Sequence, residues 1–223
     1  TAEFLAQNTF LDNFGHRKPE TSLEEFGAKF GTQDVTLLSI KMANFHYLAS
    51  TLSEVTLVNL LNKYYFFAGK VAQLYNGSVT YCAEDEVVIN FASEQLEEEQ
   101  AFYAICSGQL FLQLVGDLND VEGEHIAAKF KLAVHSGQAV SGLYSPVTQE
   151  KNNLTGKTLD ITRIICDEAP NNSLLISERC FTHVGADTRI NAEEYSIVDD
   201  DMQIITYLGN EPMSDYKLLL ERQ

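Results

Sequence analysis

The sequence predicts an α+β fold in which a mostly antiparallel sheet is flanked by helices. Three observations carry that expectation. Two long stretches, one beginning at Ser53 and one spanning 94–118, repeat apolar residues at helical spacing. Short β-rich apolar runs lie around them, at 35–40, 86–91, 130–134 and 174–176. Two pairs of such runs are separated by a few turn-prone residues, which is the pattern of antiparallel hairpins.

The elements follow in order. Val35-Thr36-Leu37-Leu38-Ser39-Ile40 reads as a buried strand. Ser53 opens the first long helix, in which Leu57, Leu60, Leu61, Tyr64, Ala68 and Val71 recur three and four residues apart, and Asn76-Gly77 ends it. Residues 77–83 and 86–91 form a hairpin around the acidic corner Glu84-Asp85-Glu86. The helix of 94–118 starts with Glu94, Glu97, Glu98 and Glu99, as the helix dipole favours. Residues 130–134 and 139–143 flank His135-Ser136-Gly137-Gln138, which predicts a second hairpin, and a polar loop follows from Ser145 to Thr155. A helix is expected over 157–168, with Ile161, Ile164 and Ile165 on one face. Leu174-Leu175-Ile176 is a strand, Ser177 caps a short helix to His183, and 194–208 and 215–220 are strand-like. The predicted order is β-α-β-β-α-β-β-α-β. Residues 1–33 read as a linker with a short helix from Thr21 or Ser22 to Gly31, leaving 34–223 as the main domain.

Composition narrows the functions open to this chain. Its 223 residues hold 15 Lys+Arg against 32 Asp+Glu, a formal net charge of −17. Such a surface repels phosphate backbones and anionic lipid, so nucleic acid is not an expected partner. A nucleotide site would need local cations or a metal. Hydrophobic residues make up 45 %, enough to bury a core. The four cysteines, Cys82, Cys106, Cys166 and Cys180, have no zinc spacing and lie among apolar residues, which favours a reducing, cytoplasmic compartment. No apolar run approaches the roughly 20 residues that cross a bilayer, so this segment is not expected to insert in a membrane. With Thr1 first and no signal-peptide pattern, the chain reads as part of a longer protein with other domains.

Six pieces, nearly collinear over about 34–220, resemble the class III adenylate and guanylate cyclase catalytic domain. Asn44-Phe45 with Leu48-Ala49-Ser50-Thr51-Leu52-Ser53 and Leu60-Leu61-Asn62-Lys63-Tyr64-Tyr65 is similar to that family's Gly-Phe-Thr turn, Leu-Ser repeat and LLNxYF helix. Gly77-Ser78-Val79 stands at its turn into the second strand, and His135-Ser136-Gly137 with Gly142 resembles its HTGxxxxG segment. Gly156 opens a stretch like the GxxVNxAxR helix; Leu175-Ile176-Ser177 resembles ILVSE, and Tyr207-Leu208-Gly209 with Pro212 and Tyr216 the closing LKG…EPVxVY. The resemblance implies a ferredoxin-like class III cyclase fold and a site between two domains, in which two carboxylates hold two divalent ions.

The site positions depart from that pattern. The first metal Asp falls on Lys41, whose ammonium repels a cation. The second is kept as Asp85, a metal candidate flanked by Glu84 and Glu86 where the family has glycines. The purine-selecting positions carry Tyr81 and Asn153. The ribose Asn maps to Asp160 and the phosphate Arg to Ile164; Arg163, about 100° round the helix, substitutes only if the register slips and otherwise reads as a surface charge. Lys41 has two readings, an ion pair with Asp85 in the vacated metal site or a side chain snorkelling from a strand end. The three acids read as a solvated turn, His135 as a structural histidine, and Tyr64-Tyr65-Phe66-Phe67 as core with part of a dimer interface. The resemblance thus implies a domain that has lost catalysis, needs no cofactor, and pairs with itself or another cyclase-homology domain as a regulatory or sensing module. The alternatives are a divergent cyclase using Mg²⁺ or Mn²⁺ with Asp85, Glu84 or Glu86, and Arg163 in shifted roles, and a nucleotide- or anion-binding module built on Lys41, Lys157, Arg163 and Asn153.

Overall fold

A computed structural model describes residues 31–91, 97–122, 127–143, 153–184, 189–199 and 202–212. From Thr32 onward they belong to one compact unit. Apart from Gly31, which begins the first strand, the helix expected at 21–31 lies outside the described residues, as does the strand expected at 215–220.

The described residues form, in order, β1 (Gly31–Met42), α1 (Phe45–Thr51), α2 (Glu54–Leu74), β2 (Ser78–Ala83), β3 (Glu86–Asn90), α3 (Glu97–Glu122), β4 (Phe130–Leu143), β5 (Asn153–Thr155), α4 (Lys157–Glu168), β6 (Ser173–Ser177), α5 (Glu178–His183), β7 (Ile190–Asp199) and β8 (Met202–Pro212). The sheet runs β2-β3-β1-β4-β6-β8-β7, with short β5 paired to β4. Antiparallel pairing prevails in the registers of β1 with β3, β2 with β3, β6 with β8 and β7 with β8; β4 and β6 are parallel. The mostly antiparallel α+β sheet expected from the sequence is what forms.

Strand alternation divides the core between the two faces. One face carries Leu38, Ile40, Met42, Val87, Ile89, Leu132, Val134, Leu174 and Ile176 against α2 and α3. Helix α2 forms where expected because the Ser53 side chain accepts from the Thr56 N–H, and it buries Leu60, Tyr64, Ala68, Val71 and Ala72. Phe130 sits between Tyr64 and Phe111, with ring centroids 4.9 and 5.1 Å away. The Tyr64 hydroxyl donates to Asn119 of α3, which also bonds both backbone groups of Ala128 and so sets where β4 begins. The Glu99–Val121 part of α3 is long and apolar enough by composition to cross a membrane, but 61 % of it is buried here, as suits a core helix. The opposite face is covered by α4, whose Ile165, Cys166 and the following Ala169 pack on Ala133, Leu175 and Ile197.

Two expectations about strands are corrected. Residues 130–143 are one continuous strand of 14 residues, not a hairpin. Its first half pairs with β6 and its second half with β5. The polar residues that suggested a turn serve side-to-side contacts instead: Ser136 Oγ lies 2.8 Å from Thr36 Oγ1 and 3.0 Å from Cys180 Sγ, and His135 Nδ1 lies 2.9 Å from Ser177 Oγ. Gly137 marks a close approach, since a Cβ there would stand 2.5 Å from Thr158 Oγ1. The run expected over 194–208 is two antiparallel strands, β7 and β8, with Asp199 opposite Met202 and the turn-prone acids 200–201 between them.

Candidate functional site

On the α4 side of the sheet, the alternation that sends Leu38, Ile40 and Met42 into the core turns Ser39 and Lys41 the other way. The register places Lys41 directly opposite Glu86 of β3. Glu84 and Asp85 form the two-residue turn between β2 and β3, and the Asp85 carbonyl accepts from the Met42 N–H at 2.8 Å. Glu84 holds φ at +48°, in the left-handed region where a residue with a Cβ is about 1 kcal/mol worse off than glycine.

Helix α4 reaches the same place from above. It starts at Gly156, whose φ of +125° suits glycine alone, and it presents Arg163 and Asp167 one turn apart on one face. These two side chains, with Lys41, Tyr81, Asp85 and Glu86, line a cleft of about 280 Å³.

Four charges pair across the cleft in a crossed pattern. Arg163 grips Glu86 with two nitrogens, Nε at 3.0 Å from Oε1 and NH2 at 2.8 Å from Oε2. Glu86 is well covered, its side chain 12 % exposed, and it accepts a further bond from Ser39 Oγ at 3.1 Å. The Arg163 guanidinium lies 5.1 Å from the Tyr81 ring centre, a cation–π contact that fixes its second side. Lys41 Nζ stands 2.5 Å from Asp167 Oδ1, in a pair with side chains 35 % and 52 % exposed. Lys131 Nζ adds a bond to the Asp167 carbonyl at 2.5 Å, near the C-terminal end of α4, where the helix dipole favours a cation. The bond to Asp167 raises the Lys41 pKa above its usual range, and the bond to Glu86 does the same for Arg163. Beneath them the Cys166 thiol donates to the Lys131 carbonyl at 3.2 Å, and burial pushes its pKa to about 12, so it is no nucleophile at neutral pH.

Several expected placements change. Lys41 pairs with Asp167; Asp85 acts on it at longer range only. Arg163 is no free surface charge: it lines the cleft, whereas Ile164, one residue on, does not. The acidic corner is not uniformly solvated, because Glu86 is covered and bonded from two sides. Asp160 and Lys157 are exposed on the first turn of α4, and Asn153 starts β5 opposite Leu143. His135 has the structural place expected of it; burial lowers its pKa to about 4 and keeps it neutral. Sequence reading missed Ser39, Cys166 and Asp167. The four-residue spacing of Arg163 and Asp167 was the available signal, since it puts both on one side of a helix.

The donor set does not fit the two divalent ions that the resemblance implies. At the position that the resemblance assigns to one metal carboxylate stands the Lys41 ammonium, paired with Asp167, and Glu86 is committed to Arg163 and Ser39. Among the described residues no three His, Cys, Asp or Glu side chains form a group able to hold a metal ion.

The sequence matches no family model and no curated protein. Its structure, by contrast, is similar to several solved ones. The adenylyl cyclase CyaB from P. aeruginosa superposes with a TM-score of 0.76 at 17 % identity, covering 84 % of this chain and 98 % of that one. The guanylate cyclase domain of RhGC from Catenaria anguillulae, in complex with GTP, gives 0.72 at 14 %, with 82 % and 99 % covered. A non-canonical dimeric guanylyl cyclase domain of the RhoGC fusion protein from the aquatic fungus Blastocladiella emersonii gives 0.71 at 15 %, with 82 % and 99 % covered. Similarity at such low identity and near-complete coverage is a statement about architecture: the chain has the fold of the class III adenylyl and guanylyl cyclase catalytic domains.

Proposed function

We propose that this is a catalytically silent cyclase-fold domain, a dimerising regulatory or sensing module of cytoplasmic signal transduction. The observation that carries the reading is the Lys41 ammonium, standing where the resemblance calls for a metal carboxylate and held there by Asp167 at 2.5 Å. A fixed cation cannot ligate a divalent ion, and in-line attack by a ribose hydroxyl on a triphosphate relies on metal charge for most of its stabilisation. The structurally similar Blastocladiella domain is found both as a non-canonical dimer and as a monomer, so it allows pairing with a second cyclase-fold domain without requiring it. Purified protein given ATP or GTP with Mn²⁺ forms no cyclic nucleotide on this reading; turnover that Asp85→Ala abolishes would overturn it.

One observation favours a second reading, a divergent nucleotidyl cyclase: Arg163 and Asp85 share the cleft. That reading requires nucleotide affinity that rises with Mn²⁺, so calorimetric titrations with and without the metal separate the two.

A further inference from the structure

The outer side of α2 keeps apolar residues in the open. Val55 is 72 % exposed, Val58 53 % and Phe66 59 %, while Leu60, Tyr64, Ala68 and Val71 of the same helix are buried in the core. At about 100° per residue, Val55, Val58, Asn62, Phe66 and Gly69 fall within about 40° of one line along the helix. Above Gly69 there is open space, since a Cβ there would meet no atom within 4 Å. Counted from Asn62, the line is matched end to end: Glu54 and Lys70 lie eight positions away, Val55 and Gly69 seven, Val58 and Phe66 four. We infer that the outer face of α2 pairs with α2 of a second copy of this chain, antiparallel about a twofold axis at Asn62.

A twofold interface presents one patch to itself, so every contact between unlike residues occurs twice. In this register Val58 meets Phe66 of the second copy, Val55 enters the open space over its Gly69, and Glu54 faces its Lys70. Lys70 already lies over the Phe66 ring, 5.4 Å from the centre, which sets its ammonium at the rim of the apolar stripe. The two Asn62 side chains meet on the axis, where amides donate to and accept from each other. Helix α2 carries Lys63 and Lys70 against Glu54 alone, in a chain of net charge −17, so copies repel each other least through this helix. Its 21 residues span about 31 Å, and a pair of such helices buries an area near the low end for specific interfaces, as suits reversible pairing. Because α2 and α4 cover opposite faces of the sheet, this pairing leaves neither α4 cleft completed by the other copy.

The inference rests on the dimerising part of the proposed function and names its surface. Turnover would overturn catalytic silence without touching α2, and a dimer formed through another face would overturn only this pairing. Exposed Cys82 is first removed as Cys82→Ser; the other three cysteines are buried. A single cysteine is then placed on the axis as Asn62→Cys, or far from it on the same side of α2 as Gln73→Cys, both at exposed positions where folding is not at risk. With oxidised glutathione, Asn62→Cys is expected to run as a disulfide-linked dimer on a non-reducing gel, since the two Cα atoms at the axis of a tight helix pair come within about 7 Å. Gln73→Cys is expected to stay monomeric, its two copies standing about 33 Å apart. By sedimentation, Val58→Glu is expected to weaken pairing at least about tenfold, and Lys70→Glu about fivefold, with E54K/K70E recovering most of that loss. Equal crosslinking at both cysteine positions, or no crosslink of Asn62→Cys where the wild-type chain is a dimer, overturns the inference. So does a dimer indifferent to Val58→Glu, or a wild-type chain that stays monomeric because something else covers α2 or nothing does.

Discussion

The two faces of this sheet are built from the same strands, one residue out of step, and they have opposite characters. The face toward α2 and α3 is a continuous apolar layer in which Leu38, Val134, Leu174 and Ile176 are fully covered. The face toward α4 carries a smaller apolar patch and, at its edge, Ser39, Lys41 and Glu86. The first face supplies the energy that specifies the fold, because buried apolar area is the dominant favourable term and tolerates little change of volume. The second holds its helix partly by charge pairing, which contributes less and leaves the residue types freer.

Substitutions on each face test that division. The largest effect is expected at Phe130, packed between Tyr64 and Phe111: Phe130→Ala is expected to cost about 3–5 kcal/mol of unfolding free energy, read from the urea midpoint. A loss under about 1 kcal/mol there would mean that the apolar face is not where stability resides.

His135 comes next, on the α4 side of β4. Its folded pKa of about 4 lies below the ordinary 6.5. The unfolded chain therefore binds more protons between those values, and the sign follows: stability is full above about pH 6.5 and falls as the pH drops toward 4. The loss is on the order of 2–3 kcal/mol. A pH series of urea midpoints for wild type and His135→Gln measures it, and the slope contributed by this residue disappears in the variant.

The smallest effect belongs to the ion pairs. Arg163→Ala leaves Glu86 covered and without its cation, and is expected to cost about 1–2 kcal/mol after allowance for the partial exposure of the arginine. In the same denaturation assay a cost as large as that of Phe130→Ala would collapse the contrast between the faces.

Much of the architecture was legible in the chain before folding. The helices at Ser53 and Lys157 and the β2–β3 hairpin follow from capping residues, apolar spacing and a two-residue acidic turn, all of which are local. The failures were local readings of residues whose reasons are distant. His135-Ser136-Gly137-Gln138 has the composition of a turn, yet Ser136 answers Thr36 and Cys180, and Gly137 makes room for Thr158. Arg163 looked like a surface charge because nothing near it in sequence explains it. Glu86, read as part of a solvated corner, is covered because α4 lies over it.

By itself the sequence determined the α+β class, the strands that alternate and the helices that cover them. It also set the acidic surplus that discourages anionic partners. Only the tertiary structure decided which charge meets which. Lys41 and Asp167 are 126 positions apart and Arg163 and Glu86 are 77 apart, so neither pair exists until α4 packs across β1 and β3. Coulomb attraction between side chains is short-ranged in salt water and has no sequence period. Helical and strand patterns therefore announce themselves along the chain, and an ion pair does so only after the fold has brought its partners together.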